Sequence, residues 1–199
     1  MRPERCPRCG GTIMEKEVTP GIFSHSCAQC GYVSHYEDDI FVCGVDIGLE
    51  GGITFRGRKN FVMGYVMPVL GKDYNLGEIT QIFKKHNPKY VFIEKQQPFP
   101  KQGVKSMFSL GRGQGIIEGI VGSLGISYEL VHPKTWQTYF MGKVKKTKEK
   151  AYQIAHRLFP HTRLYVERKT VRRVHTGLVD SLLIAEYGWR KVQGRLKNE

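Results

Sequence analysis

The run Phe41-Val42-Cys43-Gly44-Val45-Asp46-Ile47-Gly48 constrains this chain more than any other stretch. It is short, rich in β-branched residues and closed by a glycine, and it is followed by Ile53-Thr54-Phe55. That pattern predicts a buried strand turning into a neighbouring one. A strand covered on both faces has no natural place for an acid. Burying a carboxylate is costly unless a cation or hydrogen-bond donors compensate, which makes Asp46 a candidate metal ligand. The alternative is a strand-end aspartate that only bonds the following turn. Cys43, inside the run, reads as a small apolar residue.

The following segments place two more acids in comparable positions. Residues 51–55 and 61–69 read as two further strands of a meander. Asn75-Leu76-Gly77-Glu78 has capping-box spacing and predicts a helix reaching His86, ended by Asn87-Pro88. Tyr90-Val91-Phe92-Ile93 then reads as a fourth strand, ending in Glu94. A long helix is expected over residues 106–125, with Gly111, Gly115 and Gly119 forming a smooth stripe. Each glycine costs about 1 kcal/mol against alanine, so close packing on a strand or on a second subunit is expected there. A fifth strand (127–131), a short helix (133–140) and a helix over 148–159 follow. In the last helix, starting near Thr176, Asp180 shares a stripe with Leu183, Ile184 and Tyr187 and so points inward. Glu186 lies off that stripe and is expected at the surface.

Before all this stand two knuckles, Cys6-Pro7-Arg8-Cys9-Gly10 and Cys27-Ala28-Gln29-Cys30-Gly31, with 17 residues between Cys9 and Cys27. The spacing is that of a four-cysteine zinc site, in which each pair clasps one side of a tetrahedral ion. A segment this short has little core, so one structural Zn²⁺ bound by Cys6, Cys9, Cys27 and Cys30 would supply most of its folding energy. His25 and His35 are alternative ligands in principle, but four thiolates already complete the shell. The expected organisation is a zinc ribbon over residues 1–38, with Glu37-Asp38-Asp39 as a solvated linker, and a second domain over 39–199.

Charge narrows the class of partner. The 199 residues carry a formal net charge of +13, which favours a polyanion, most simply nucleic acid. No apolar run approaches the roughly 18 residues of a membrane span, and no signal-peptide core opens the chain. An intracellular protein with no membrane partner is expected. Two basic runs stand out: Lys143, Lys145 and Lys146 in one loop, and Arg163, Arg168, Lys169, Arg172 and Arg173 in the other. They read either as solvated surface or as phosphate contacts.

Three inward acids, Asp46, Glu94 and Asp180, would repel one another unless divalent cations lay between them. A pair of Mg²⁺ ions roughly 4 Å apart suits phosphodiester hydrolysis. The element order predicts an α/β fold of the ribonuclease H-like type, a mixed five-stranded sheet flanked by helices. Residues 44–48 (Gly-Val-Asp-Ile-Gly), Ile93-Glu94-Lys95, the block from Phe99 to Gly113 and Asp180 to Tyr187 resemble the RuvC family of Holliday junction resolvases, especially phage-type and organellar members. The likeness runs from Ile40 to about Lys191.

The resemblance implies a homodimeric endonuclease that nicks four-way DNA junctions with two Mg²⁺ (or Mn²⁺) ions per site. It implies that the glycine-bearing helix lies at the dimer interface and that Lys101, Lys105 and Arg112 bind DNA. The ribbon is outside the family pattern. The family also has a further acid three or four residues before the last one, where this chain has Gly177 and Thr176. The adjacent His175 is the candidate for that role, as a ligand or by positioning the attacking water, with Thr176 suited to capping the helix. Other readings are a ribonuclease H or transposase-like nuclease, an actin-like ATPase, whose second phosphate loop is missing here, and an inactive zinc-ribbon DNA-binding protein.

Overall fold

The computed structural model describes residues 5–6, 8–19, 22–31, 33–36, 41–58, 60–97, 103–144, 146–168 and 171–194. The chain divides into two compact units, Met1–Ile40 and Phe41–Glu199. In the first, strands β1 (Ile13–Thr19), β2 (Ile22–Cys27) and β3 (Val33–Tyr36) form an antiparallel sheet in the order β1-β2-β3. The expected linker, Glu37 to Asp39, lies outside the described residues.

The second unit is built on β4 (Val42–Asp46), β5 (Gly52–Arg56) and β6 (Val62–Val66), which pair antiparallel as the meander predicted. The third strand is shorter than expected. It ends at Val66, and after Met67-Pro68 a two-residue hairpin follows, β7 (Val69–Leu70) and β8 (Asp73–Tyr74). Proline has no N–H to continue a ladder, which accounts for the break.

Helix α1 (Leu76–His86) is capped as its sequence indicates: Glu78 N–H donates to Asn75 Oδ1 (3.2 Å) and Asn75 Nδ2 donates back to Glu78 Oε2 (3.0 Å). Strand β9 (Tyr90–Glu94), helix α2 (Val104–Ser123), strand β10 (Ser127–Val131) and helices α3 (Pro133–Met141) and α4 (Lys148–Leu158) come next. The basic stretch after α4 is not a loop. It is an antiparallel two-stranded ribbon, β11 (Tyr165–Arg168) with β12 (Val171–Val174), leading into α5 (Thr176–Val192).

The main sheet has the order β10-β9-β4-β5-β6, with β9 parallel to both β4 and β10. This is the expected ribonuclease H-like arrangement. The strands pack Val45, Ile53, Phe55, Val91 and Ile93 against Ile79, Phe83, Ile117 and Val121 of α1 and α2. Cys43 is fully buried among them.

Helix α5 lies on β4 and β5, with residues Gly177 to Trp189 buried except Asp180, which is partly so. Burial on every side corrects the expectation for Glu186. It is 6% exposed, accepts from Arg56 Nε (2.9 Å) and Arg190 Nε (2.8 Å), and is not at the surface. Arg56, 6% exposed, lies with its guanidinium over the rings of Phe159 and Trp189, so the buried acid meets a buried cation. Among the described residues no helix is long and apolar enough to cross a membrane.

Candidate active site

Parallel β4 and β9 end side by side, with Val45 opposite Ile93, so Asp46 and Glu94 emerge at one end of the sheet. Helix α5 brings Asp180 to them. Burial raises the Asp46 carboxyl well above the usual range, and the charges of Glu94 and then Asp180 push the same way; Lys148 opposes them. Burial, then the Glu94 charge, pushes Asp180 up to about 7, again against Lys148. Burial also raises Glu94, while hydrogen bonds from Trp136 and Gln96 lower it.

The three sequence-predicted acids therefore lie within electrostatic reach of one another, in surroundings that make their charges unfavourable. Such a set binds either protons or cations. Its donors are all carboxylate oxygens, which suits a hard divalent ion such as Mg²⁺ or Mn²⁺.

His175 lies at the start of α5, but the cap is His175 and not Thr176. Its Nδ1 accepts from Leu178 N–H at 3.2 Å, and Thr176 is the first helical residue.

Two residues at the site escaped the sequence reading. Trp136 of α3, 1% exposed, donates from Nε1 to Glu94 Oε1 at 3.0 Å. Lys148, first residue of α4, is the cation felt by both Asp46 and Asp180. The signal for Lys148 was Thr147, whose hydroxyl caps α4 by accepting from Lys150 N–H (3.2 Å), so that Lys148 opens a helix directly after a basic loop. Trp136 left none, because its partner is 42 residues away.

The predicted DNA-contacting residues are scattered more widely. Lys105 is exposed on the first turn of α2. Arg112 is exposed but forms a two-pronged ion pair with Asp73 (Nη2 to Oδ2, 2.7 Å). Lys143 is exposed after α3, and Lys146 donates to Thr138 Oγ1 at 3.1 Å. Arg172 lies over Tyr165, 4.2 Å from the ring centroid, and Arg173 is exposed beside it. Lys101, Lys145, Lys169 and the side chain of Arg168 lie outside the described residues.

In the N-terminal unit, the two knuckles repeat one geometry. Gly10 N–H donates to Cys6 O (2.8 Å) and Gly31 N–H to Cys27 O (3.0 Å), each glycine having a φ near +70° that other residues rarely adopt. The four sulfurs lie within 4.8 Å of one another, with Cys6 to Cys30 at 3.7 Å and Cys9 to Cys27 at 3.5 Å. A Zn–S distance near 2.3 Å in a tetrahedron requires sulfurs about 3.8 Å apart, so the quartet fits zinc. The backbone N–H of Cys30, against the effect of burial, pulls the Cys27 thiol down to about 6, toward the thiolate a metal needs. Among the described residues no other group of three or more such ligands converges this closely. The carboxylates face one another across a wider separation.

No protein-family model matches the chain, and no curated protein does. Solved structures do. Thermus thermophilus RuvC superposes with a TM-score of 0.56 at 16% identity, over 79% of this chain and 99% of that one. The T. thermophilus RuvC complex with a Holliday junction substrate gives 0.57 at 15% identity, over 79% and 98%. The yeast mitochondrial Holliday junction resolvase Ydc2 gives 0.47 at 13% identity, over 79% and 82%. At such identities the likeness is one of fold. The chain has a RuvC-like, ribonuclease H-like fold, with a four-cysteine cluster suited to zinc in the unit that precedes it.

Proposed function

We propose that this chain is an endonuclease that resolves four-way DNA junctions by divalent-metal-dependent phosphodiester hydrolysis, acting as a homodimer. One observation carries the reading: two parallel strand ends and one helix of a RuvC-like fold bring Asp46, Glu94 and Asp180 together, where burial raises all three and the Glu94 charge raises Asp46 and Asp180 further. The T. thermophilus neighbour bound to a Holliday junction supports the choice of substrate.

Asp46, Glu94 and Asp180 would hold a pair of Mg²⁺ or Mn²⁺ ions, which supply an activated water and stabilise the leaving oxygen. The chain's own contributions follow from its geometry. Trp136 occupies one oxygen of Glu94 and fixes how that carboxylate is turned. Lys148 offers the site a cation that tempers repulsion before an ion arrives and suits a phosphate afterwards. His175, at the start of α5, would act as the fourth site residue by ligating one ion or by positioning the attacking water. The exposed basic residues Lys105, Lys143, Arg172 and Arg173, with Lys101, Lys145, Arg168 and Lys169, would grip the DNA backbone. Arg112 would do so by exchanging Asp73 for a phosphate, and Lys146 by leaving Thr138.

Support for a dimer comes from α2. Gly111, Gly115 and Gly119 have nothing within 4 Å of the position a Cβ would take, so among the described residues of the second unit no strand covers the smooth stripe. Val104 and Phe108, 78% and 72% exposed, extend that uncovered surface. A second copy of α2 would bury it. One structural Zn²⁺ on Cys6, Cys9, Cys27 and Cys30 would organise residues 1–38 as a ribbon ahead of a nuclease domain at 39–199. The protein would work inside the cell, in the compartment that holds the DNA.

The test is cleavage of a synthetic four-way junction beside linear duplex and RNA–DNA hybrid, in Mg²⁺, Mn²⁺ or no divalent ion. The expected result is metal-dependent, paired nicking of the junction, abolished by Asp46→Asn or Glu94→Gln while junction binding persists. Cleavage retained in Asp46→Asn would remove the basis of the proposal, and preference for the hybrid would reassign the substrate.

A further inference from the structure

Glu94 is the last residue of β9, where the chain leaves the sheet, and a strand end cannot hold a carboxylate still unless the exit is fastened. Two backbone bonds fasten it. Lys95 N–H donates to Val131 O of the neighbouring strand at 2.8 Å. Gln96 N–H donates to Gln114 Oε1 of α2 at 2.9 Å, two residues beyond Glu94, and the Gln96 side chain lowers the Glu94 carboxyl against the effect of burial. Gln114 is itself held: its Nε2 donates to Glu118 Oε1 at 2.7 Å, and Glu118 Oε2 accepts from Tyr128 of β10 at 3.1 Å.

The residue types in this chain of bonds are dictated by their direction. A backbone N–H can only donate, and a carboxylate can only accept. The side chain between Gln96 N–H and Glu118 must accept at one end and donate at the other, which a carboxamide does and a carboxylate or an alkyl group does not. Residues 114 and 118 are four apart, so they stack in one row of α2, between the buried row of Ile117 and Val121 and the bare glycines.

We propose that Gln114 and Glu118 are positioning residues of the carboxylate site, a polar ladder on α2 that aims Glu94 through Gln96. The inference rests on Glu94 being a metal ligand. Trp136 holds Glu94 from α3 and the ladder holds it from α2, leaving the carboxylate little freedom to turn. Anything that shifts α2 along the sheet therefore shifts Glu94.

The experiment uses full-length, zinc-loaded protein with Gln114→Glu, Gln114→Met, Glu118→Gln, and the swap Gln114→Glu with Glu118→Gln. The swap reverses the middle bond and leaves the others intact: Glu at 114 accepts from Gln96 N–H, and Gln at 118 donates to it while still accepting from Tyr128. Amide exchange at Gln96 and Mn²⁺ affinity by calorimetry are the readouts, with junction binding in Ca²⁺ and thermal stability as controls. Gln114→Glu and Gln114→Met are expected to lose Gln96 protection and to weaken Mn²⁺ binding about tenfold, the usual effect of losing an outer hydrogen-bond partner. Junction binding should not change, and Glu118→Gln alone should be mild. The swap is expected to recover both readouts to within about threefold of wild type.

Wild-type Mn²⁺ affinity in Gln114→Met overturns the proposal, and so does a swap no better than Gln114→Glu. If Gln114→Glu fails to fold, Gln114→Met and the swap carry the test. Should wild-type Mn²⁺ binding prove indifferent to Asp46→Asn, the metal reading of the acids fails instead, and Gln96 protection alone reports on the ladder.

Discussion

Without divalent ions the three acids are a pH-dependent load on the fold, and Asp180 sets its size. Burial, then the Glu94 charge, pushes its carboxyl up to about 7 in the folded protein, against 3.8 for a free aspartate, so between those pH values the native state keeps a proton that the unfolded chain has lost. When the unfolded state binds fewer protons, stability falls as pH rises. The contribution is fully present below about pH 4 and gone above the folded value near 7. From pH 5 to pH 8 the loss covers about two pH units, or about 3 kcal/mol for this one group. For a chain of this size that is roughly 6–12 °C in Tm.

His86 contributes with the opposite sign, since burial holds its folded pKa down and it favours the native state as pH rises. Comparing wild type with Asp180→Asn cancels that term. Urea unfolding without added divalent ions should show the wild-type advantage over Asp180→Asn shrinking by about 3 kcal/mol between pH 5 and pH 8. Mg²⁺ should restore it, and should raise Tm much more at pH 8 than at pH 5.5, where it competes with protons. A pH-independent difference between the two proteins, or an equal Mg²⁺ shift at both pH values, would refute the claim that these carboxylates are held against one another.

Replacing Cys6 or Cys27 with serine should release the zinc measured by elemental analysis and abolish cooperative folding of residues 1–40, while unfolding of the second unit is unchanged. His175→Ala should lower stability by about 1 kcal/mol through the lost helix cap, readable in urea, and should reduce junction cleavage if Nε2 serves the reaction. Thr176→Asp beside it tests whether an acid there replaces that role; full activity in His175→Ala with a large gain in Thr176→Asp would leave the histidine as a cap alone. Gly44→Ala should lift α5 from β4, because the added methyl overlaps Ser181 O and Ala185 N; a loss of about 3 kcal/mol or more and weakened Mn²⁺ binding are expected by denaturation and calorimetry.

The acids were legible in the sequence because each sits in a short local pattern. Asp46 and Glu94 end apolar strands, and Asp180 falls on a helical stripe with Leu183, Ile184 and Tyr187. The same stripe misled at Glu186. The stripe implies a one-sided helix, whereas α5 is covered all round, and the cation that permits a buried acid is Arg56, 130 residues earlier in the chain. The ribbon of β11 and β12 was missed for a different reason. Its alternation is hidden by arginines whose stems and planes cover Tyr165, so a strand exposed to water carries no apolar period. Trp136, Lys148 and the Gln114–Glu118 ladder are tertiary coincidences of separate elements, invisible to any window along the sequence.

What keeps Asp46 and Asp180 together is backbone, not side chain. A Cβ on Gly44 would strike Ser181 O, one on Gly52 would strike Gly177 O, and one on Gly177 would strike the backbone of Gly51. Strands β4 and β5 thus touch the first turns of α5 directly, with Thr54 Oγ1 and Ser181 Oγ hydrogen-bonded at 2.7 Å inside the contact. Asp180 precedes Ser181 and Asp46 lies two residues beyond Gly44, so both acids are rooted in that seam. A helix riding on side chains can drift and relax a repulsion between charges, but one seated on bare backbone has no such give. The repulsion is left to protons or, on the proposed function, to divalent cations.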